Sequence, residues 1–166
     1  MKRRYLAITI LSVLALCIGI VGKWPVKLIY NPTESAPKGF YLIVNSAIQK
    51  GDYVLADIPE MARKLAARRQ YLPRKVPILK PVLAMSGEHI CVKNHQLFIN
   101  GKHMARLLEK DSRGRILESW RGCRSLAEGE FFLLSTYSPV SYDSRYFGPV
   151  TRKMITGKAV PVWVFD

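Results

Sequence analysis

The stretch ILKPVLAMSGEHICVKNHQLFINGKHMA, Ile78 to Ala105, decides the fold. Ile78 to Met85 is apolar except for Lys80. His89–Lys93, Gln96–Ile99 and Lys102–Ala105 then alternate between short turns, and Asn100-Gly101 is a strong two-residue hairpin signal. Four strand-like runs this close together, with no room for crossover helices, predict antiparallel pairing.

The pattern extends in both directions. Val26–Tyr30, Phe40–Val44 and Tyr53–Ala56 read as strands, the last two separated by a Gly51-Asp52 turn. Phe131–Ser135 and Gly157–Phe165 supply the final strands, and the polar, glycine-bearing stretch Glu109–Gly122 reads as a loop. One segment differs: Pro59–Tyr71 is rich in helix formers, with Pro59 and Glu60 suited to a first turn. Met61, Leu65 and Leu72 mark a thin apolar stripe there, while Arg63, Lys64, Arg68 and Arg69 crowd the other faces. Such a helix is either a solvated surface element or one that rests on a membrane or a substrate. The expected fold is mainly β, a single antiparallel domain with one short basic helix.

The N-terminus predicts the compartment. Tyr5–Gly22 is 18 residues without a charge, about 27 Å as a helix and close to the ~30 Å hydrocarbon core. Lys2, Arg3 and Arg4 precede it, and Lys23 and Trp24 follow. The expected order is a cytoplasmic tail (1–4), a transmembrane helix (5–22) and an exported β domain (23–166). A cleaved signal peptide or a lipoprotein box at Cys17 would export the same domain. This predicts a single pass with the N-terminus in the cytoplasm and the domain exported, which in a bacterium means the inner membrane and the periplasm.

The chain has 166 residues, 49% of them hydrophobic and 23% charged, which excludes general disorder. Its formal net charge is +14. Tethered at a membrane, so basic a domain fits anionic headgroups, and no specific nucleic acid is expected. With Cys17 inside the apolar run, Cys91 and Cys123 form an even pair in an oxidising space; a disulfide between them is expected, with two separate buried thiols as the alternative.

Three segments carry candidate chemistry. Asn31-Pro32-Thr33-Glu34-Ser35-Ala36-Pro37-Lys38-Gly39 frames Ser35 with prolines and a glycine, a pattern that also suits a plain turn. Lys80 stands inside an apolar strand, where lysine is rare unless it snorkels or its amine is kept dry and neutral. Ser141-Tyr142-Asp143-Ser144-Arg145-Tyr146-Phe147-Gly148 packs hydroxyls, a carboxylate and a guanidinium before a turn. A Ser-His-Asp triad from Ser35, Asp143 and one of His89, His95 or His103 competes, as does a zinc site from His89, Cys91, His95 and Cys123, although neither shows the usual spacing. No metal or cofactor is expected.

A serine, then a lysine in an apolar strand, then an SxDSRYFG box, behind a membrane anchor, resembles the type I signal peptidases. The loop Ser35-Ala36-Pro37-Lys38-Gly39-Phe40-Tyr41 is most similar to their TraF branch, conjugative-transfer peptidases that process pilin precursors. Secretory signal peptidases usually place Met after the serine and Arg-Val after the lysine, where this chain has Ala36 and Pro81-Val82. The resemblance implies a Ser–Lys serine endopeptidase with Ser35 as nucleophile and Lys80 as general base. Ser141 would position the lysine, Asp143 and Arg145 would hold its box, and Thr33 would assist the oxyanion hole beside the Ser35 N–H. It implies an exported, pilin-like precursor as substrate, extended beside Val26–Tyr30 and Ile78–Met85, with small residues such as Ala near the scissile bond. It leaves open whether water or an amine takes the acyl group, the latter giving transpeptidation or cyclisation. The reading from another class is a non-enzymatic, membrane-anchored basic adaptor of an envelope or conjugation apparatus, which leaves Lys80 unexplained.

Overall fold

The computed structural model describes residues 4–5, 8–13 and 27–165. Residues 4–5 and 8–13 are helical; the rest of the expected span 5–22 lies outside the described residues, among which no helix is long and apolar enough to cross a membrane.

Among the described residues, eleven strands form two sheets. The larger uses β1 (Lys27–Asn31), β2 (Lys38–Val44), β3 (Tyr53–Ala56), β4 (Ile78–Met85), β9 (Glu130–Leu133), β10 (Val150–Thr151) and β11 (Ile155–Phe165), in the order β1-β2-β11-β3-β4-β9-β10. The smaller runs β7-β6-β5-β8, from β5 (His89–Lys93), β6 (Gln96–Ile99), β7 (Lys102–Arg106) and β8 (Gly122–Ser125). Every pairing is antiparallel. Asn100 and Gly101 both take positive φ, 50° and 79°, as a type I′ hairpin requires. Asn94 and His95 make an equivalent turn between β5 and β6, at 49° and 57°. Strand β8 lies at the end of the expected loop; it is exposed throughout, so no apolar alternation marks it. Its Cys123 stands opposite Cys91 of β5, and a disulfide joins the two.

Strand β4 is the spine. It pairs with β3 through Pro81 and with β9 from Val82 onward, so Pro81, which has no N–H to give, sits where the partner changes. Ile78 and Val82 belong to the cluster around Val54, Ile58, Phe131 and Ile155; Leu79 packs with Ala36, Tyr41 and Leu55; Ala84 reaches the cluster of the smaller sheet. Both faces of this strand are therefore covered.

Helix α1 (Glu60–Arg68) packs through Ala62 and Ala66, while Met61 is 76% exposed. The expected Met61/Leu65 stripe is thus displaced by one position: two alanines four apart let the helix backbone approach the core closely, which larger side chains would prevent. Its cations are partly spoken for. Glu60 pairs with Arg63, Lys64 and Arg74, and Asp57 takes Arg63. Helix α2 is the short turn Ser144–Phe147, capped by the Asp143 carboxylate on the Arg145 N–H.

Candidate active site

The loop between β1 and β2 is organised by the buried Asn31. Its amide nitrogen donates toward the carbonyls of Thr33, Ala36 and Pro37 at 3.0, 3.1 and 3.1 Å. Its amide oxygen accepts from the Thr33 N–H at 3.2 Å and faces the Thr33 hydroxyl at 2.8 Å. Tyr41 adds a hydroxyl donated to the Pro37 carbonyl at 2.7 Å. The loop leaves through Gly39, whose φ of +147° and closeness to the Trp163 carbonyl leave no room for a side chain. Ser35 is held in this frame at 8% exposure, its Oγ 2.9 Å from Thr33 Oγ1.

Lys80 lies one residue before the Pro81 junction, on the strand face it shares with Ile78 and Val82, and is 5% exposed. Among the described residues it enters no ion pair. Burial disfavours its ammonium; the Asp143 carboxylate favours it and the Arg145 guanidinium opposes it. The outcome is a pKa lowered from 10.5 to about 8.

The third segment supplies both of those charges, as one ion pair. Arg145 donates to Asp143 from Nε at 2.8 Å and from Nη2 at 2.7 Å, and both residues are essentially inaccessible. Asp143 also accepts the Ser135 and Arg145 N–H groups; Arg145 reaches the carbonyls of Ser135, Ser138 and Pro139. A bidentate pair with this many supporting bonds is a brace for residues 135–141. At the end of that braced segment lies Ser141, whose buried Oγ has no hydrogen-bond partner among the described residues.

Ser35, Thr33, Lys80 and Ser141 converge on one cleft of about 810 Å³, walled by Ile29, Leu55, Tyr71, Leu72, Val140 and Tyr142. Asp143 and Arg145 stand behind it. The histidines do not join them: His89, His95 and His103 are exposed on the smaller sheet and line no part of the cleft. Asp143 is occupied by Arg145, and the sulfurs of Cys91 and Cys123 by each other, so the triad and zinc alternatives find no assembled site. Among the described residues no cluster of metal-ligating side chains occurs. Sequence reasoning passed over Asn31. Its signal was the Asn-Pro-Thr order, since an asparagine side chain bonds the backbone two residues on.

A cleft on which Ser35 and the buried Lys80 both open suits a serine peptidase, and the chain belongs to the signal peptidase family, peptidase S26, whose model matches residues 1–164. Within it, the chain is similar to conjugative proteins. It is 32% identical over 143 residues to the plasmid transfer protein TraF of Escherichia coli, covering 80% of each chain. It is 31% identical over 163 residues to the conjugal transfer protein TraF of Agrobacterium fabrum, covering 92% of this chain and 89% of that one. The signal peptidase I V of Bacillus subtilis is 29% identical over 128 residues, 69% of this chain and 76% of that one.

Proposed function

We propose that the protein is a membrane-anchored endopeptidase that uses Ser35 and Lys80 as a dyad to remove the leader from an exported, pilin-like precursor during conjugative transfer. The observation that carries this reading is Lys80, buried without an anionic partner in the cleft that Ser35 opens on. At its ordinary pKa of 10.5, about one lysine in 3,000 is neutral at pH 7; at about 8, roughly one in ten is.

Neutral Lys80 Nζ takes the Ser35 proton as Oγ attacks the scissile carbonyl carbon. The oxyanion forms beside the Ser35 N–H. As the C–N bond breaks, the Lys80 ammonium returns the proton to the leaving amine. Water, deprotonated by Lys80, then cleaves the ester and frees Ser35. An amine of the same chain attacking the ester would instead close a ring, which is the second fate we assign to the acyl-enzyme. The Ser141 hydroxyl, buried on the same cleft with no partner among the described residues, is free to take the lysine amine as one, and the Asp143–Arg145 brace holds Ser141.

The stretch Tyr5–Gly22 would anchor the chain in the inner membrane with the β domain in the periplasm. Exposed Leu28, Tyr30, Val162, Trp163 and Phe165 at the β1 and β11 ends, together with the net positive charge, support lipid contact.

The test co-expresses full-length protein with a pilin-like precursor in membranes. Ser35→Ala and Lys80→Ala are each expected to abolish leader removal, and wild-type activity to rise with pH through a midpoint near 8. Processing by both variants would exclude the dyad and favour the basic adaptor. Mass spectrometry separates the two fates: a ring lacks one further water.

A further inference from the structure

The hydrogen-bond directions in the Ser35 loop can be read without seeing a proton. Asn31 Nδ2 faces three carbonyl oxygens, so that end of the amide must be the NH2 and the other end the oxygen. The oxygen has no hydrogen, so the Thr33 hydroxyl, 2.8 Å away, donates to it. A threonine hydroxyl has a single proton. In the 2.9 Å contact between Thr33 Oγ1 and Ser35 Oγ, the donor is therefore Ser35. Direction runs one way along the chain: Ser35 to Thr33 to Asn31.

We propose that Asn31 is a positioning residue for the nucleophile, acting through Thr33: its amide fixes Thr33 as an acceptor, which holds the Ser35 hydroxyl in one orientation in the free enzyme. This rests on the Ser35–Lys80 reading above. Catalysis then begins with the Ser35 hydrogen turning from Thr33 to Lys80, while Asn31 keeps the loop and the Thr33 oxygen in place. Thr33 is committed as a donor to Asn31, and it can serve an oxyanion only by breaking that bond. The two roles predict opposite effects of removing Asn31. If Thr33 works as an oxyanion donor, losing the Asn31 acceptor frees its proton and preserves or raises the rate. If Asn31 positions the nucleophile, the rate falls. Asn31 is 5% exposed and its polar atoms all face its own loop, so its loss should act on kcat and leave substrate affinity almost untouched.

The experiment measures leader removal by full-length protein in detergent micelles, with the precursor used above, for Asn31→Ala, Thr33→Val, their double variant and Thr33→Ser. Asn31→Ala is expected to lower kcat about 100-fold, with KM within about threefold and the pH midpoint unmoved, comparable to losing one preorganised hydrogen bond at a reacting centre. Thr33→Val should match it, Thr33→Ser should stay within about threefold of wild type, and the double variant should be no worse than about threefold below the weaker single one, because both act through one hydroxyl. Full kcat in Asn31→Ala, or losses that multiply in the double variant, would overturn the assignment. Should Asn31→Ala not fold, the Thr33 pair decides: equal rates for Thr33→Ser and Thr33→Val overturn it. Activity surviving in Ser35→Ala and Lys80→Ala refutes the dyad; inactivity there beside an unimpaired Asn31→Ala refutes this assignment alone.

Discussion

Replacing Lys80 with methionine separates the electrostatic account of the site from its catalytic role, because stability can be measured without any substrate. The ammonium titrates at 10.5 when solvated and at about 8 in the fold. Below pH 8 the folded protein must carry a charge in a dry site, and it bears the full cost; above 10.5 both states are neutral and the cost disappears. At about 1.36 kcal/mol per pH unit, the interval corresponds to about 3 kcal/mol at pH 7 and under about 1 kcal/mol at pH 10. Methionine has a similar length, no charge and good packing, so Lys80→Met should be more stable than wild type at pH 7, with an advantage that shrinks by about 2 kcal/mol or more as pH rises to 10. Any pH-independent offset from packing cancels in that difference. Urea unfolding at pH 7, 8.5 and 10, followed by tryptophan fluorescence in detergent, gives it directly. An advantage that does not change between pH 7 and 10 would mean that Lys80 titrates in the fold as it does in water. The dry amine on which proton abstraction depends would then not exist.

Three further outcomes follow from the supports of the site. Asp143→Asn leaves the Arg145 guanidinium buried without its anion and should cost about 3–5 kcal/mol in urea unfolding, with activity lost in parallel as residues 135–141 loosen. Gly39→Ala would place a Cβ 2.2 Å from the Trp163 carbonyl oxygen, with backbone on both sides of the clash; a Tm drop well beyond that of Gly51→Ala, whose Cβ meets open space, is the expected comparison. Cys91→Ala with Cys123→Ala removes a cross-link over 32 residues and should lower stability by about 3–4 kcal/mol, which reductant should reproduce in wild type.

The strands that the sequence made legible are those with a reason to alternate or a turn to mark them. Residues 40–44 bury alternate side chains, 53–56 form a short apolar run buried on both faces behind the Gly51-Asp52 turn, and Asn100-Gly101 announces its turn chemically. Strand β8 was not legible because it buries nothing; cross-strand pairing and the Cys123 link hold it, and neither leaves a periodic trace. The order of strands was hidden for a different reason. Strand β11 inserts between β2 and β3, about a hundred residues away, and only the matching of long-range registers decides that placement. Helix α1 was readable as a helix, but its buried face was not. Hydrophobicity pointed to Met61 and Leu65, whereas close approach to the sheet selects small side chains, and alanine scores weakly on any apolar scale.

The site divides along the same line. Lys80 was conspicuous because a charge in an apolar strand violates a pattern, and the violation is itself the signal. Asn31 violates nothing. An asparagine before a proline is what any turn would contain, and its five hydrogen-bond contacts inside the loop become visible only when the carbonyls of Thr33, Ala36 and Pro37 are seen to converge on one nitrogen. Residues that perform chemistry tend to sit badly in their surroundings, because a perturbed group is a reactive one. Asn31, proposed to aim the nucleophile, sits well, with both polar atoms of its side chain satisfied. A sequence therefore exposes a residue such as Lys80, the proposed base, more readily than Asn31, the side chain proposed to hold the nucleophile still, and Asn31 is the place in this chain where that difference can be measured.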